Sequence, residues 1–160
     1  MLTRSNELKR KVLIVEDENL IAMDLGEQLR ELGYEVSGIS DTAEKAILLA
    51  ASQRPDLILM DIRLRDGGDG IEAAQTVRAE MDIPVVFVTA HYDDETLGRA
   101  KLAEPFGYIV KPFCSANIRA AIEVALHKHA TESYVRGSLK WLNGEIVKRM
   151  QPRNRRDREG

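Results

Sequence analysis

Residue types suited to binding a metal ion and a phosphoryl group follow four short apolar runs in this sequence. The runs cover residues 12–15, 57–60, 85–88 and 108–110, and the polar residues that follow them are Glu16 and Asp17, Asp61, Thr89, and Lys111. Apolar, β-branched runs of this length are typical of buried parallel strands. Because open α/β sheets bind ligands at the carboxyl ends of their strands, we expect these polar side chains to meet at one edge of a sheet.

This set of three carboxylates, one hydroxyl and one lysine has a specific chemical capacity. Three carboxylates held close together repel one another, and a divalent cation such as Mg²⁺, which prefers oxygen ligands, removes that repulsion. An aspartate in such a group can attack a phosphorus atom and form an acyl phosphate. The cation and Lys111 would offset the charge on the transferring group, and the Thr89 hydroxyl can donate a hydrogen bond to it.

Strands and helices are predicted to alternate along the first four fifths of the chain. The predicted strands cover about residues 11–16, 34–39, 56–61, 83–88 and 107–110, and the predicted helices about 18–32, 41–54, 70–80, 93–103 and 115–129. Repeated βα units of this length predict an α/β fold with helices on both faces of a parallel sheet. The second strand is short and ends without a charged residue, which favours an edge position and the flavodoxin-like, doubly wound order 2-1-3-4-5 with five helices.

The pattern divides the chain into four segments. A polar N-terminal segment covers residues 1–10, and the α/β domain covers 11–129. Apolar residues at helical spacing predict an amphipathic helical extension or linker over 130–150; they are Val135, Leu139, Leu142, Ile146 and Met150. The last ten residues, 151–160, are charged and contain a proline, and we expect them to be disordered.

Composition bounds the class of protein. The chain has 160 residues and a net charge of −3, so nothing global indicates nucleic-acid binding, although residues 130–160 hold eight lysines and arginines against four acidic residues. Cys114 is the one cysteine, which excludes an internal disulfide. No apolar run approaches the roughly 20 residues needed to span a bilayer. We therefore expect a cytoplasmic protein without a membrane partner.

The polar landmarks and the βα frame together resemble the receiver domain of two-component response regulators, the CheY-like superfamily, over about residues 10–129. The resemblance implies that Asp61 is the phosphoacceptor and takes a phosphoryl group from a histidine kinase or a phosphotransfer protein. It implies that Mg²⁺, or Mn²⁺, is bound directly by Asp17, Asp61 and the backbone carbonyl of Arg63, while Glu16 acts through a water. Lys111 would bind the phosphoryl group, with Lys111-Pro112 as a cis peptide bond.

The resemblance also implies a conformational response. Thr89 would move toward the phosphoryl group and Tyr108 would rotate inward, which would reshape the surface formed by helix 4, strand 5 and helix 5 and so control a downstream protein. Arg63 and His91 follow Asp61 and Thr89 by two residues each, and we expect them to tune the lifetime of the phosphoryl group. Whether the chain forms a homodimer through this surface, or through the C-terminal helix, is left open.

Other interpretations remain open. The chain could be the receiver portion of a larger hybrid kinase or multidomain regulator rather than a single-domain regulator. An aspartyl-phosphate phosphatase usually carries a second acid where Arg63 stands, and the acidic loop 16–19 disfavours a flavin site. Gly67, Gly68 and Gly70 fit no phosphate-binding loop and indicate a plain turn. The sequence after 129 is too short for a sizeable DNA-binding domain, and we expect no enzymatic turnover beyond self-phosphorylation and autodephosphorylation.

Overall fold

A computed structural model of the chain describes residues 8–65, 68–90 and 93–151. Strands and helices alternate within it in the predicted sequence. They are β1 (Lys11–Val15), α1 (Asn19–Glu31), β2 (Glu35–Ser40), α2 (Ala43–Gln53), β3 (Leu57–Asp61), α3 (Gly70–Met81), β4 (Val85–Thr89), α4 (Asp94–Leu102), β5 (Gly107–Val110) and α5 (Ser115–Met150).

The strands form a five-stranded parallel sheet in the order β2-β1-β3-β4-β5, which confirms the predicted fold class. β1 and β3 are neighbours, and Val15 pairs with Met60 at their last shared position. The chain order reverses between these two strands, and this is the point at which doubly wound sheets open a crevice for ligands. Glu16 and Asp61, which each follow a paired position, are therefore brought side by side.

The core lies on both faces of the sheet because successive strand residues point to opposite sides. One face packs against α2, α3 and α4, and its buried members include Leu13, Met60 and Phe87. The other packs against α1 and α5, and includes Ile14 and Leu59. Every residue of β3 and β4 is buried. Burying each large apolar side chain contributes roughly 1.5–3 kcal/mol, so the strand ends that carry the site rest on a firmly packed centre.

The C-terminal part of the chain differs from the prediction in one respect. Two helices were expected, over about 115–129 and 130–150, whereas the structure has the single helix α5 from Ser115 to Met150. The residues around position 129 include neither glycine nor proline, so nothing in the sequence ends a helix there.

The chain divides between His127 and Lys128 into two compact units. In the second unit the predicted apolar stripe is present, and Val135, Leu139, Leu142 and Ile146 are each exposed over about half of their surface. The predicted disordered tail lies, apart from Gln151, outside the described residues. Within the described ranges, no helix is long and apolar enough to cross a membrane.

Candidate functional site

Three carboxylates converge where β1 and β3 end. Glu16 and Asp17 follow β1, Asp61 is the last residue of β3, and one oxygen from each lies within 4.8 Å of the others. Glu16 is 2% exposed and Asp61 8% exposed. Close-set carboxylate oxygens are the donors that a hard divalent cation prefers, so these residues fit the Mg²⁺ that the sequence predicts.

Lys111 completes this group from the neighbouring part of the sheet edge. Its Nζ donates hydrogen bonds to Oε2 of Glu16 at 2.8 Å and to Oδ2 of Asp61 at 2.9 Å. Its backbone amide donates to the carbonyl of Thr89 at 2.8 Å, which holds the residue beside the end of β4. The Lys111-Pro112 peptide bond is cis, as expected.

Burial and charge oppose each other in this site. Burial raises the pKa of Glu16 to about 7, although the hydrogen bonds from Lys111 and from the Glu18 amide partly offset it. Burial also lowers the pKa of Lys111, but the hydrogen bonds to Glu16 and Asp61 outweigh it and leave that pKa raised. The lysine therefore stays charged, while Glu16 exchanges a proton near neutral pH unless a further cation is bound.

The loop after β3 covers the acidic group. The Arg63 amide donates to Oδ1 of Asp61 at 3.0 Å, and the Arg65 amide donates to Oδ2 of Asp17 at 2.8 Å. The Arg65 guanidinium lies 3.6 Å from Oδ2 of Asp17 and 3.3 Å from Oε1 of Glu18. Arg65 was not predicted as a site residue, because its distance in sequence from Asp17 gives no sign that the loop folds back over this carboxylate.

Gly70 is a second residue whose role the sequence analysis missed. It is the first residue of α3, and a Cβ atom there would fall well inside contact distance of the Asp61 carbonyl oxygen. Its amide donates to the carbonyl of Ile62 at 3.3 Å. The absence of a side chain therefore lets α3 begin directly against the backbone of Asp61, which is more than the plain turn that was predicted.

Thr89 and Tyr108 lie on β4 and β5, the two strands that follow β3 in the sheet order. Thr89 is buried at the end of β4, and the preceding Val88 pairs with Asp61. Tyr108 pairs with Phe87 in the sheet, and their ring centroids are 6.1 Å apart. Tyr108 is partly buried against the core, and burial raises its pKa. Thr89 thus lies on the strand next to the one that carries Asp61, and Tyr108 lies one strand further along the sheet.

Of the two residues expected to tune the lifetime of the phosphoryl group, only Arg63 lies within the described part of the chain. The Arg63 guanidinium is directed to α4, where its Nη2 donates to Oδ2 of Asp93 at 2.8 Å and to Oγ1 of Thr96 at 3.3 Å. The Arg63 side chain is 65% exposed, so this ion pair lies at the surface. His91 lies outside the described residues.

Comparisons with known proteins agree with this geometry. Residues 12–123 match the family model described as the response regulator receiver domain. The transcriptional regulatory protein PdtaR of Mycobacterium tuberculosis is 37% identical over 140 residues, which cover 88% of this chain and 68% of that protein.

Solved structures show the same relationship. The signal receiver domain of a modulated diguanylate cyclase from Desulfovibrio desulfuricans G20 superposes with a TM-score of 0.74 at 43% identity, over 78% of this chain and 98% of that one. The anti-anti-sigma factor PhyR from Bartonella quintana superposes with a TM-score of 0.66 at 34% identity, over 82% of this chain and 53% of that one. The chain therefore belongs to the response regulator receiver domain family of two-component signalling.

Proposed function

We propose that this receiver accepts a phosphoryl group on Asp61 from a phosphohistidine of a histidine kinase or phosphotransfer protein. A carboxylate oxygen of Asp61 forms the new bond to phosphorus, the phosphorus–nitrogen bond of the donor breaks, and the imidazole leaves with the bonding electrons and takes up a proton. The observation that carries this proposal is the placement of Asp61, which is nearly buried, bonded to Lys111 and set among two further carboxylates.

The surrounding residues have distinct roles in this proposal. Lys111 holds the phosphoryl oxygens, and the Thr89 hydroxyl donates a hydrogen bond to one of them. Asp17, Asp61 and the carbonyl of Arg63 would hold Mg²⁺, or Mn²⁺, directly, and Glu16 would hold it through a water. When bound, the cation supplies positive charge that offsets the negative charge of the transferring group. The acyl phosphate is later hydrolysed in place, so the domain turns over no separate substrate.

Phosphorylation is proposed to act on the surface of α4, β5 and α5. Thr89 shifts toward the phosphoryl group, Tyr108 turns into the space behind it, and the surface changes its affinity for a downstream protein. PdtaR is described as a transcriptional regulatory protein and PhyR as an anti-anti-sigma factor. We take the output of this receiver to be a protein contact of that general kind.

We also propose how the chain is divided into segments. We place the receiver at residues 11–129, a helical extension at 130–150 and a charged tail at 151–160. The exposed stripe of the extension has the alternating three- and four-residue spacing of a coiled-coil seam, and we assign it to a second copy of this chain. The chain spans about half of the PhyR chain that it matches, so the alternative of a receiver within a larger regulator stands beside a single-domain one.

An aspartyl-phosphate phosphatase is the alternative from a different class. Such enzymes usually carry a second acid two residues after the nucleophile, and here that position is Arg63. The guanidinium of Arg63 does not give up a proton, and it is hydrogen-bonded to Asp93. Position 63 therefore favours a receiver over a phosphatase.

Intact-protein mass measured after incubation with Mg²⁺ and acetyl phosphate or a phosphorylated phosphotransfer protein tests the proposal. Wild type and the control Asp24→Asn, which alters an exposed aspartate on α1, should each gain one phosphoryl group. Asp61→Asn should gain none. Modification of Asp61→Asn, or no modification of wild type by either donor once Mg²⁺ binding is confirmed, would overturn the assignment.

A further inference from the structure

Two ion pairs connect the segment after β3 with α4. Arg63, in the loop after β3, pairs with Asp93 at 2.8 Å, and Arg99, on α4, pairs with Asp69. The two pairs run in opposite directions, since the first arginine lies in the loop after β3 and the second lies on α4. We refer to these four residues as the clasp.

Both aspartates of the clasp are also helix caps. Oδ1 of Asp93 accepts from the Thr96 amide at 2.6 Å and caps α4, while Oδ2 accepts from Arg63. Oδ1 of Asp69 accepts from the Ile71 amide at 2.9 Å and caps α3, while Oδ2 accepts from Arg99. Each carboxylate therefore holds the first turn of its own helix with one oxygen and the opposite segment with the other.

The clasp is linked directly to the proposed phosphoacceptor. Arg63 donates to Oδ1 of Asp61 through its backbone amide, and its side chain ends on the cap of α4. Phosphorylation would replace the single negative charge of the Asp61 carboxylate with the roughly 1.5–2 negative charges of an acyl phosphate beside this arginine, and arginine binds phosphoryl groups in a bidentate manner. Asp93 offers the guanidinium only a single charge in a largely exposed pair, which is the weaker attraction.

We propose that the clasp holds α4 in its resting position and that phosphorylation of Asp61 opens it by drawing the Arg63 side chain away from Asp93. The Asp69–Arg99 pair stays closed and anchors the later part of α4, so that movement is concentrated in the first turn around Thr96. Asp93 and Asp69 are thus positioning residues for α4. The opening step rests on the proposed phosphorylation of Asp61, whereas the resting clasp does not.

The substitution Asp93→Asn separates the clasp from the cap, because asparagine caps a helix as well as aspartate but cannot form the ion pair. Asp94→Asn is the matched control, since it removes the same charge from the next residue and therefore has the same effect on the helix dipole. Hydrogen exchange of peptides covering α4, followed by mass spectrometry, reports the opening of its first turn.

Without phosphorylation, Asp93→Asn and Arg63→Ala should each raise exchange in the first turn of α4 by about two- to fivefold over wild type, as expected from loss of an exposed ion pair. Their combination should raise it no further, and high salt should bring wild type toward the variants. Equal effects of Asp93→Asn and Asp94→Asn, or additive effects of the two clasp variants, would overturn the resting clasp.

Phosphorylation, with occupancy read from intact mass, should raise exchange in the first turn of wild-type α4 and add little in Asp93→Asn. An equal rise in both proteins at full occupancy would overturn the opening step alone. No occupancy in wild type would overturn the proposed function and the opening step together, while the comparison of unphosphorylated variants would still decide whether the clasp exists.

Discussion

The backbone amide of Arg65 lies 2.8 Å from Oδ2 of Asp17, and the guanidinium of the same residue lies 3.6 Å from that oxygen. Arg65 thus contacts Asp17, a carboxylate that we assign to the metal, through both its backbone amide and its side chain. The amide can remain bonded when a cation arrives, whereas the guanidinium must share the carboxylate with it or move.

Replacing Arg65 with alanine should therefore raise the affinity for Mg²⁺. The Arg65 side chain is 74% exposed, so its pairing is weak, on the order of 0.2–1 kcal/mol, and the gain should be about two- to fivefold. Titration calorimetry would measure it, with Arg30→Ala, an exposed arginine on α1, as the control. Unchanged or weaker binding in Arg65→Ala would show that its guanidinium does not compete with the cation.

Binding of Mg²⁺ near neutral pH should release protons. Burial raises the pKa of Glu16 to about 7, so part of the population is protonated there, and a cation favours the carboxylate. The apparent affinity should rise with pH up to about 7 and then level off. Calorimetry at pH 7 in two buffers of different ionisation enthalpy would detect the protons, and Glu16→Gln should release none. Identical heats in both buffers for wild type would contradict this.

The Gly70→Ala substitution should damage the site through the backbone. The added Cβ would collide with the carbonyl of Asp61, and overpacking of this kind typically costs about 1–3 kcal/mol. The free energy of unfolding measured in urea and the rate of phosphorylation should both fall. In the control Gly98→Ala the new Cβ meets nothing within 4 Å on α4, and the change should stabilise the protein by about 0.5–1 kcal/mol. Equal stability of the two variants would refute the assigned role of Gly70.

The Tyr34 hydroxyl should make stability depend on alkaline pH. It donates to Oε1 of Glu123 at 2.6 Å, and burial together with this carboxylate raises the pKa of Tyr34 well above its usual value. The unfolded residue ionises near pH 10 while the folded residue stays protonated. Its contribution to the free energy of unfolding is therefore complete below about pH 10 and is lost as the pH rises further.

Tyr34→Phe should cost about 1 kcal/mol at neutral pH and should lose less stability than wild type between about pH 10 and 11. Urea unfolding followed by circular dichroism measures both effects. Tyr134→Phe is the control, because that side chain is 77% exposed, and it should match wild type throughout. A parallel decline of wild type and Tyr34→Phe would contradict the assignment.

Self-association through the second unit should depend on its apolar stripe. Leu139→Asp places a charge on that stripe, whereas Asn143→Asp adds the same charge at a polar position of the helix. Sedimentation equilibrium of the full chain should show dimers for wild type and Asn143→Asp, and at least tenfold weaker association for Leu139→Asp. If the wild-type protein stayed monomeric at high concentration, a second copy of the chain would not be the partner that covers this stripe.

The sheet and the acidic group could be predicted because each depends on a short-range pattern. Asp61 and Thr89 end apolar runs, and parallel topology alone brings such ends to one edge. The directions of Arg63 and Arg65 could not be predicted in this way. A long, exposed side chain reaches many partners, and the loop path that selects Asp93 or Asp17 is determined by packing distant in sequence.

The length of α5 illustrates a different difficulty. A change in the apolar spacing beyond residue 129 suggested a separate helix over 130–150, but the spacing of apolar residues and the continuity of the backbone are separate properties. Helix ends commonly carry a glycine or a proline just beyond the last turn, and residues 126–135 contain neither.

The hydrogen bonds of Lys111 also bear on how the chain is made. They join a lysine after the fifth strand to acids that lie 95 and 50 residues earlier, after the first strand and at the end of the third. Contacts of such sequence separation form late in folding, since the entropy of closing long loops must first be overcome. A nascent chain that has not yet released β5 and Lys111 from the ribosome therefore lacks these two hydrogen bonds. On the proposed function, competence to accept a phosphoryl group would arise only with completion of the sheet.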